Sequence, residues 1–594
     1  MINDERGKNM LLRQMLTDIV SDAFEKAGYR RDLGTVTVSD RPDLCQFQCN
    51  GAMSAAKIYK KSPLAIAAEV VSRLKDDTRF SMLEAVKPGF INLNLSDSLI
   101  SKIMNDMTGD SRLKLPSMAP LTIVVDYGGP NLAKPLHVGH LRSAIIGDCL
   151  KRLARFLGHN VLGDVHLGDW GLQMGLVISE VKRLKPDLIY FDPDFTGEYP
   201  AEAPVTVEEL NEIYPNASKR AKTDEAFAEE AARATFELQN GRRGYVAFWK
   251  HLRNSSVEDL KRNYQVLGVD FDYWYGESDA EPYIPKVINI LKERNLLTES
   301  EGAMVVDVSL PGDREPMPPM LIVKSNGGDI YGTTDLGTLL QRMTDWHPDE
   351  LWYVVDNRQA LHLKQVFRCA SLAGITGENT VCTHIGFGTM NGKDGKPYKT
   401  RDGGVMRLSD MIDIVTKNAY ERTAQSEIVE DDIQKAGVAR MVGVAAMKIG
   451  DMINHRTKDY IFDIDRFLAS DGKTGPYLQY TAVRIQSVLS KASELGFHPG
   501  EILPPASDLE RNLMLTLTNV SDGLLRAYYD KAPNVICETL FDIAGIFNKF
   551  YAENKILTCP DAPRRDSWLA LCSLTGSMIK TLLSILGIEV PDRM

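Results

Sequence analysis

Asn131-Leu132-Ala133-Lys134-Pro135-Leu136-His137-Val138-Gly139-His140 is the stretch whose reading decides the fold. The apolar run Leu121-Thr122-Ile123-Val124-Val125 precedes it and reads as a buried strand; Leu141 to Leu150 follows with helical periodicity. The two imidazoles therefore sit three residues apart on the first turn of a helix that leaves a central strand. An open α/β sheet places a nucleotide at such a point, with its phosphates at the helix N-terminus. Gly139 lacks a side chain, so a flat base is expected to lie against the backbone between the histidines. Residues three apart share a helix face, so both rings can reach one phosphate. A helical zinc pair has a spacing of four and a neighbouring Glu, and this stretch has neither. It asks for ATP and for chemistry at one of its phosphates.

From about 120 to 380, strand candidates at 121–126, 160–165, 351–355 and 381–385 alternate with helical segments, which predicts a parallel sheet. The stretch at about 180–250, Pro-, Glu- and Ala-rich and then helical, reads as an insertion. Upstream, Leu64 to Leu74 is an amphipathic helix opened by Ser62-Pro63, and Pro88-Gly89 turns into a strand ending at Leu95. Downstream of about 405 the pattern is helical, with runs at Val438 to Ile453, Gly475 to Leu495, Leu509 to Tyr529 and Pro533 to Asn554. The expected architecture is multidomain α/β. A small N-terminal α/β domain (1–115) precedes a central doubly wound parallel-sheet, Rossmann-like domain (116–405). A connecting helical region (406–460) leads to a C-terminal all-α helical bundle (461–594).

A chain of 594 residues is too long for one core. Its 44% hydrophobic and 25% charged content is that of an ordinary soluble protein. Met1-Ile2-Asn3-Asp4-Glu5-Arg6 does not read as a signal peptide, and no apolar run reads as long enough to span a bilayer, so no membrane partner is expected. The 8 cysteines are scattered; Cys45 and Cys49 are the only close pair, which fits a reducing cytoplasm and no zinc site. A net charge of −11 disfavours a protein coated in nucleic acid but allows a local basic face.

A second stretch also looks chemical. Between Gly392 and Gly404, Lys393, Lys396, Lys399 and Arg401 place four cations within nine residues, with glycines at both ends. Such a loop can close over a triphosphate. In isolation it reads as a solvated hairpin tip.

Together the two stretches resemble the signature pair of class I aminoacyl-tRNA synthetases, a His-Ile-Gly-His-like site and a mobile Lys-Met-Ser-Lys-Ser-like loop. More closely, the chain resembles the arginyl-tRNA synthetases. The resemblance runs through Asp126 to Ser143, Gly168-Asp169-Trp170-Gly171-Leu172-Gln173, Tyr331 to Gly337, Asp356 to His362, Gly475 to Tyr480 and the closing Leu586 to Met594. One departure is the second motif, which reads Lys396-Pro397-Tyr398-Lys399-Thr400-Arg401 with Pro-Tyr where Met-Ser is usual.

The resemblance implies ATP-dependent attachment of L-arginine to arginine tRNA through an adenylate, with Mg²⁺ delivered with ATP. Catalysis falls to Lys134, His137, His140, Lys396, Lys399 and Arg401, with Lys134 compensating for the altered second motif. Pro130, His137, Gly139, His140, His362 and Lys399 are implied at ATP. Asp126, Asn131, Tyr331, Asp335 and Gln359 are implied at arginine, Asp335 supplying the carboxylate that meets the guanidinium. On the residues alone, Asp335 could instead be an N-cap opening an apolar helix, and both readings hold if the cap residue lines the cleft. The C-terminal domain is implied to bind the anticodon, where aromatics and cations interleave at Tyr477, Arg484, Tyr551 and Lys555; each tyrosine reads equally as bundle core. A monomer is expected. The rival readings are another enzyme, either a different class I synthetase or a small-molecule nucleotidylyltransferase, and a non-catalytic synthetase-like RNA-binding protein.

Overall fold

The computed structural model describes every residue except 1, 4–8, 133, 135, 324–330, 397, 399–405 and 424–430; the side chains of 2, 3, 9, 10, 331 and 423 are also outside the description. At its centre lies a four-stranded sheet in the order Val381–His384, Glu350–Val354, Thr122–Tyr127, Asn160–Asp164, every pairing parallel. The predicted strands are all present, their ends shifted by a residue. The two central strands are buried on both faces, as their continuous apolar runs require. The chain leaves Thr122–Tyr127 towards one edge of the sheet and later returns to Glu350–Val354 on its other side. That makes the gap between these strands the topological switch point, where the carboxyl ends open a crevice. Ser143 holds the gap together: its Oγ accepts from Gly128 N at 2.7 Å and donates to the Val354 carbonyl at 2.6 Å.

The predicted insertion is helical, formed by Val207–Ala221, Glu225–Gln239 and the long Arg243–Val266. An antiparallel sheet of Leu297–Ser300, Ala303–Val306 and Met320–Val323 follows. This sheet is not among the strands that the sequence predicts. The turn Glu301-Gly302 has both residues at positive φ, 51° and 78°, the geometry of a two-residue hairpin.

The N-terminal unit is an antiparallel sheet in the order Val36–Val38, Phe47–Cys49, Phe90–Leu95, Phe80–Val86, packed with helices that include Leu12–Lys26 and Pro63–Ser72. It docks on the helical end of the chain. Asn105 exchanges two hydrogen bonds with the Ile502 backbone at 2.8 and 2.9 Å, and Arg511 pairs with Asp97 at 2.8 Å. In that end, the run read as one helix over Leu509 to Tyr529 is two, Asp508–Thr518 and Val520–Asp530, meeting at Asn519. Ala562–Ile585 has the length and apolarity to cross a bilayer, contrary to the sequence expectation, but its apolar window is 67% buried within the molecule.

Candidate active site

The helix Val138–Phe156 starts at the switch point, and His137 is its N-cap. His137 Nδ1 accepts from Gly139 N at 3.1 Å, and His140 Nδ1 accepts from His137 N at 3.1 Å. The first turn of a helix has N–H groups without intrahelical partners, and here two imidazoles satisfy them reciprocally, as Ser and Glu do in a capping box. The rings are tilted by 33° to one another, with centroids 3.9 Å apart. With both Nδ1 atoms accepting, each ring is neutral and carries its proton on Nε2. Burial and the nearby Lys134 and Arg358 cations hold His137 below the usual imidazole range. Burial, then His137 itself, pushes His140 down to about 3. The pair therefore presents two neutral N–H donors. The space over Gly139 is not open to a base as expected: a Cβ there would lie 2.8 Å from His137 Cε1, so His137 itself fills it. Glycine is required for the ring to cap the helix.

The segment that follows the second motif pairs with the first. Val138 N donates to the Met406 carbonyl at 3.1 Å, and Leu408 N donates to the Leu136 carbonyl at 2.8 Å. The loop's other end pairs in parallel, Met390–Asn391 against Tyr460–Ile461. Between these anchors Lys396 is exposed on a hairpin tip closed by Gly392 N to the Lys396 carbonyl at 2.8 Å. Lys399 and Arg401 lie outside the described residues. Lys134 is half-buried, its ammonium 5.1 Å from the centroid of the Tyr214 ring of the insertion. Pro130 accepts from Gly168 N at 3.0 Å, pairing the first loop with the 167–168 segment beside Asn131, which is exposed.

Across the crevice, Asp335 lies on the helix Tyr331–Asp345. It is one turn inside that helix, on the Tyr331 face, so the N-cap reading fails. Its Oδ2 is 2.5 Å from His362 Nε2. That bond raises the His362 pKa above the imidazole range, so residues expected at ATP and at arginine are tied together. Gln359 is exposed at the end of the turn after Glu350–Val354, beside Arg358, whose charge reaches His137. Asp126 is buried and already bound by Arg342 at 2.7 Å.

Two groups escaped the sequence reading. Glu277 follows Tyr273 to Gly276, a segment that bridges to 164–167. Burial pushes its carboxyl up to about 7, with Asp169 and Asp335 adding negative charge and His166 opposing. His166, at φ 41°, stands close enough to act on both Glu277 and Asp126. The alternating Phe271-Asp272-Tyr273-Trp274-Tyr275 is a strand-like signal that leads to Glu277.

Comparison with known proteins bears on the whole chain. The model of the class I (R) tRNA synthetase catalytic domain matches residues 102–464, that of the arginyl-tRNA synthetase N-terminal domain residues 11–95, and that of the DALR anticodon-binding domain residues 478–594. The chain is 50% identical over 586 residues to an arginine–tRNA ligase of Alkaliphilus oremlandii, covering 98% of this chain and 100% of that one. The chain belongs to the arginyl-tRNA synthetase family. A family enzyme from Agathobacter rectalis is 49% identical over 594 residues, with the same coverage. The arginyl-tRNA synthetase structure from Thermus thermophilus shares the fold with a TM-score of 0.78 at 22% identity, over 98% of this chain and 100% of that one.

The helical domain that matches the family's anticodon-binding model gathers three of the expected RNA contacts. Asn548 donates to Tyr477 Oη at 3.0 Å and to Thr481 Oγ1 at 3.1 Å, and accepts from Arg484 at 2.6 Å. Arg484 lies over the rings of Tyr480 and Tyr551, at 4.7 and 5.5 Å. Tyr477 and Tyr551 are half-buried, while Tyr480 is 43% exposed. Lys555 is exposed beyond the end of Pro533–Glu553.

Proposed function

We propose that this chain joins L-arginine to arginine tRNA at the expense of ATP, through an arginyl adenylate. The observation that carries the reading is the division of one crevice, in a chain of this family. Neutral imidazole donors stand at the switch point, and a carboxylate-rich group stands across from them.

The arginine carboxylate oxygen attacks the α-phosphorus, the bond to the β-phosphate oxygen breaks, and pyrophosphate leaves with the electron pair. The terminal ribose hydroxyl of the tRNA then attacks the arginyl carbonyl, and AMP leaves. His137 and His140 donate through Nε2 to phosphate oxygens. Neutral donors fixed by backbone bonds need no reorganisation as charge develops. Lys134 swings from Tyr214 to the transferring phosphoryl, and Lys396, Lys399 and Arg401 close on pyrophosphate. Pro130 and Gly139 shape the ATP floor, and His362 borders it. ATP arrives with Mg²⁺, which screens its phosphates.

At the far end, Asp335 and Tyr331 receive the guanidinium, a planar fork that a carboxylate meets bidentately. Glu277 adds a second carboxyl, whose ionised form the incoming cation favours. Asn131, Asp126 and Gln359 hold the α-amino end. Tyr480 and Tyr551 beside Arg484, with Tyr477 and Lys555, offer stacking faces and cations to the anticodon loop. The enzyme is read as a cytoplasmic monomer with no membrane partner. Eight unpaired cysteines support the compartment, and the burial of Ala562–Ile585 within the molecule supports the lack of a membrane partner.

Charging of an arginine tRNA, assayed with each amino acid in turn, tests the reading. Arginine alone should be attached, and only with ATP present. Charging with another amino acid and none with arginine would end it.

A further inference from the structure

Asp126 and Asp164 occupy paired positions at the carboxyl ends of adjacent parallel strands. Their side chains therefore share a face of the sheet. Both are buried. Arg342, 1% exposed, sends one Nη2 to both carboxylates at 2.7 Å each. Its guanidinium lies over Tyr353, 5.3 Å from the ring centroid, and Tyr353 is the strand neighbour of Asp126 on the other side. Arg342 stands seven residues, about two turns, after Asp335 on one helix face. Thr338, between them, has Oγ1 3.5 Å from His166 Nε2.

Two buried acids face one guanidinium at the floor of the crevice, with His166 beside Asp126, so one negative charge is left that Arg342 does not balance. Buried charge persists when paired and is costly otherwise. We propose that Arg342 is a positioning residue for amino-acid recognition: it balances one of the two acids and leaves the second charge for the substrate's α-ammonium. The same contact pins the helix carrying Asp335, so one guanidinium sets both ends of the arginine site. This rests on the arginine reading above, and wild-type charging with arginine checks that reading first. Without Arg342 the adjacent carboxylates share a proton, as two acids in one site do, and the ammonium meets a misplaced, partly neutral partner.

The test is steady-state charging by full-length Arg342→Met, Arg342→Lys and the double variant Arg342→Met/Asp164→Asn, each with a melting curve. Arg342→Met should raise the arginine KM about tenfold or more, the scale of a lost charge-assisted contact, with the ATP KM within about twofold. The increase should grow as pH falls, because more of the carboxylate pair is protonated there. Arg342→Lys should recover part of the loss. The double variant removes one acid with the guanidinium and restores the single negative charge, so it should bind arginine better than Arg342→Met. A double variant no better than the single, or arginine and ATP KM values rising together, would reduce Arg342 to a cross-link between helix and sheet. If Arg342→Met does not fold, the lysine and double variants still decide, since charge balance predicts that both keep arginine binding.

Discussion

The two ends of the crevice are built on opposite electrostatic plans. At the phosphate end, His137 and His140 are locked to the backbone of their own helix turn and kept neutral by burial. At the amino-acid end, Asp335, His362, Glu277 and the Asp126–Arg342–Asp164 group are charged or poised to titrate, and come from segments far apart in the chain. The difference follows from the ligands. Phosphate brings its own negative charge and needs donors placed ahead of time. Arginine brings two cationic groups, and rejecting neutral or shorter rivals needs carboxylates left unpaired without it.

The sharpest break of this contrast comes from His140→Ala. It should lower turnover by about two orders of magnitude or more, the loss of one donor to developing charge, and leave the arginine KM nearly unchanged. Lys134→Ala should act in the same sense; turnover within a few-fold of the parent would refute its compensating role. Next is Gly139→Ala, whose Cβ would meet His137 2.8 Å away. Displacing the capping ring should cost up to about a hundredfold in turnover, since small misplacements near the chemistry are expensive. A purified, folded variant with parental turnover would show that the His137 position is not used.

Asp335→Asn attacks the other end. It should raise the arginine KM about tenfold and spare ATP, because a charge-assisted bond becomes a neutral one. The His362 pKa, raised by that carboxylate, should fall back towards the ordinary imidazole value, which proton NMR titration would follow.

The smallest effect is on stability against pH, and its sign differs between the ends. His140 binds a proton in the unfolded chain below about 6.5. The folded protein binds one only near pH 3, so this residue costs stability progressively as pH falls from about 6.5 towards 3. His362 is the reverse case: its folded pKa is raised, so its contribution is full below the unfolded value and is lost as pH rises through the folded one. Denaturant melts at a series of pH values should show a shallower acid-side decline for His140→Ala and the loss of an alkaline-side decline for His362→Ala.

The phosphate end was legible in the sequence because its geometry is local. A strand, a loop and a helix turn within twenty residues fix both histidines. The amino-acid end was legible only in part. Asp335 and Tyr331 follow from the family resemblance, but only the structure, with Asp335 inside the helix Tyr331–Asp345, removes the N-cap alternative. Arg342 looks in sequence like any polar residue of an amphipathic helix. Its role appears when two strands bring Asp126 and Asp164 beside it. Glu277 was hidden for the same reason, since its pocket is closed by residues about a hundred positions away. The antiparallel sheet at 297–323 was missed because short strands in a parallel context carry little periodicity of their own.

Calorimetric titration of arginine into His140→Ala and Asp335→Asn, side by side with the parent and with melting curves for all three, tests the divided crevice most directly. Arginine affinity should be parental in His140→Ala and clearly weakened in Asp335→Asn, with all three proteins folded. Parental affinity in a folded Asp335→Asn, or an equal loss in both variants, would contradict it.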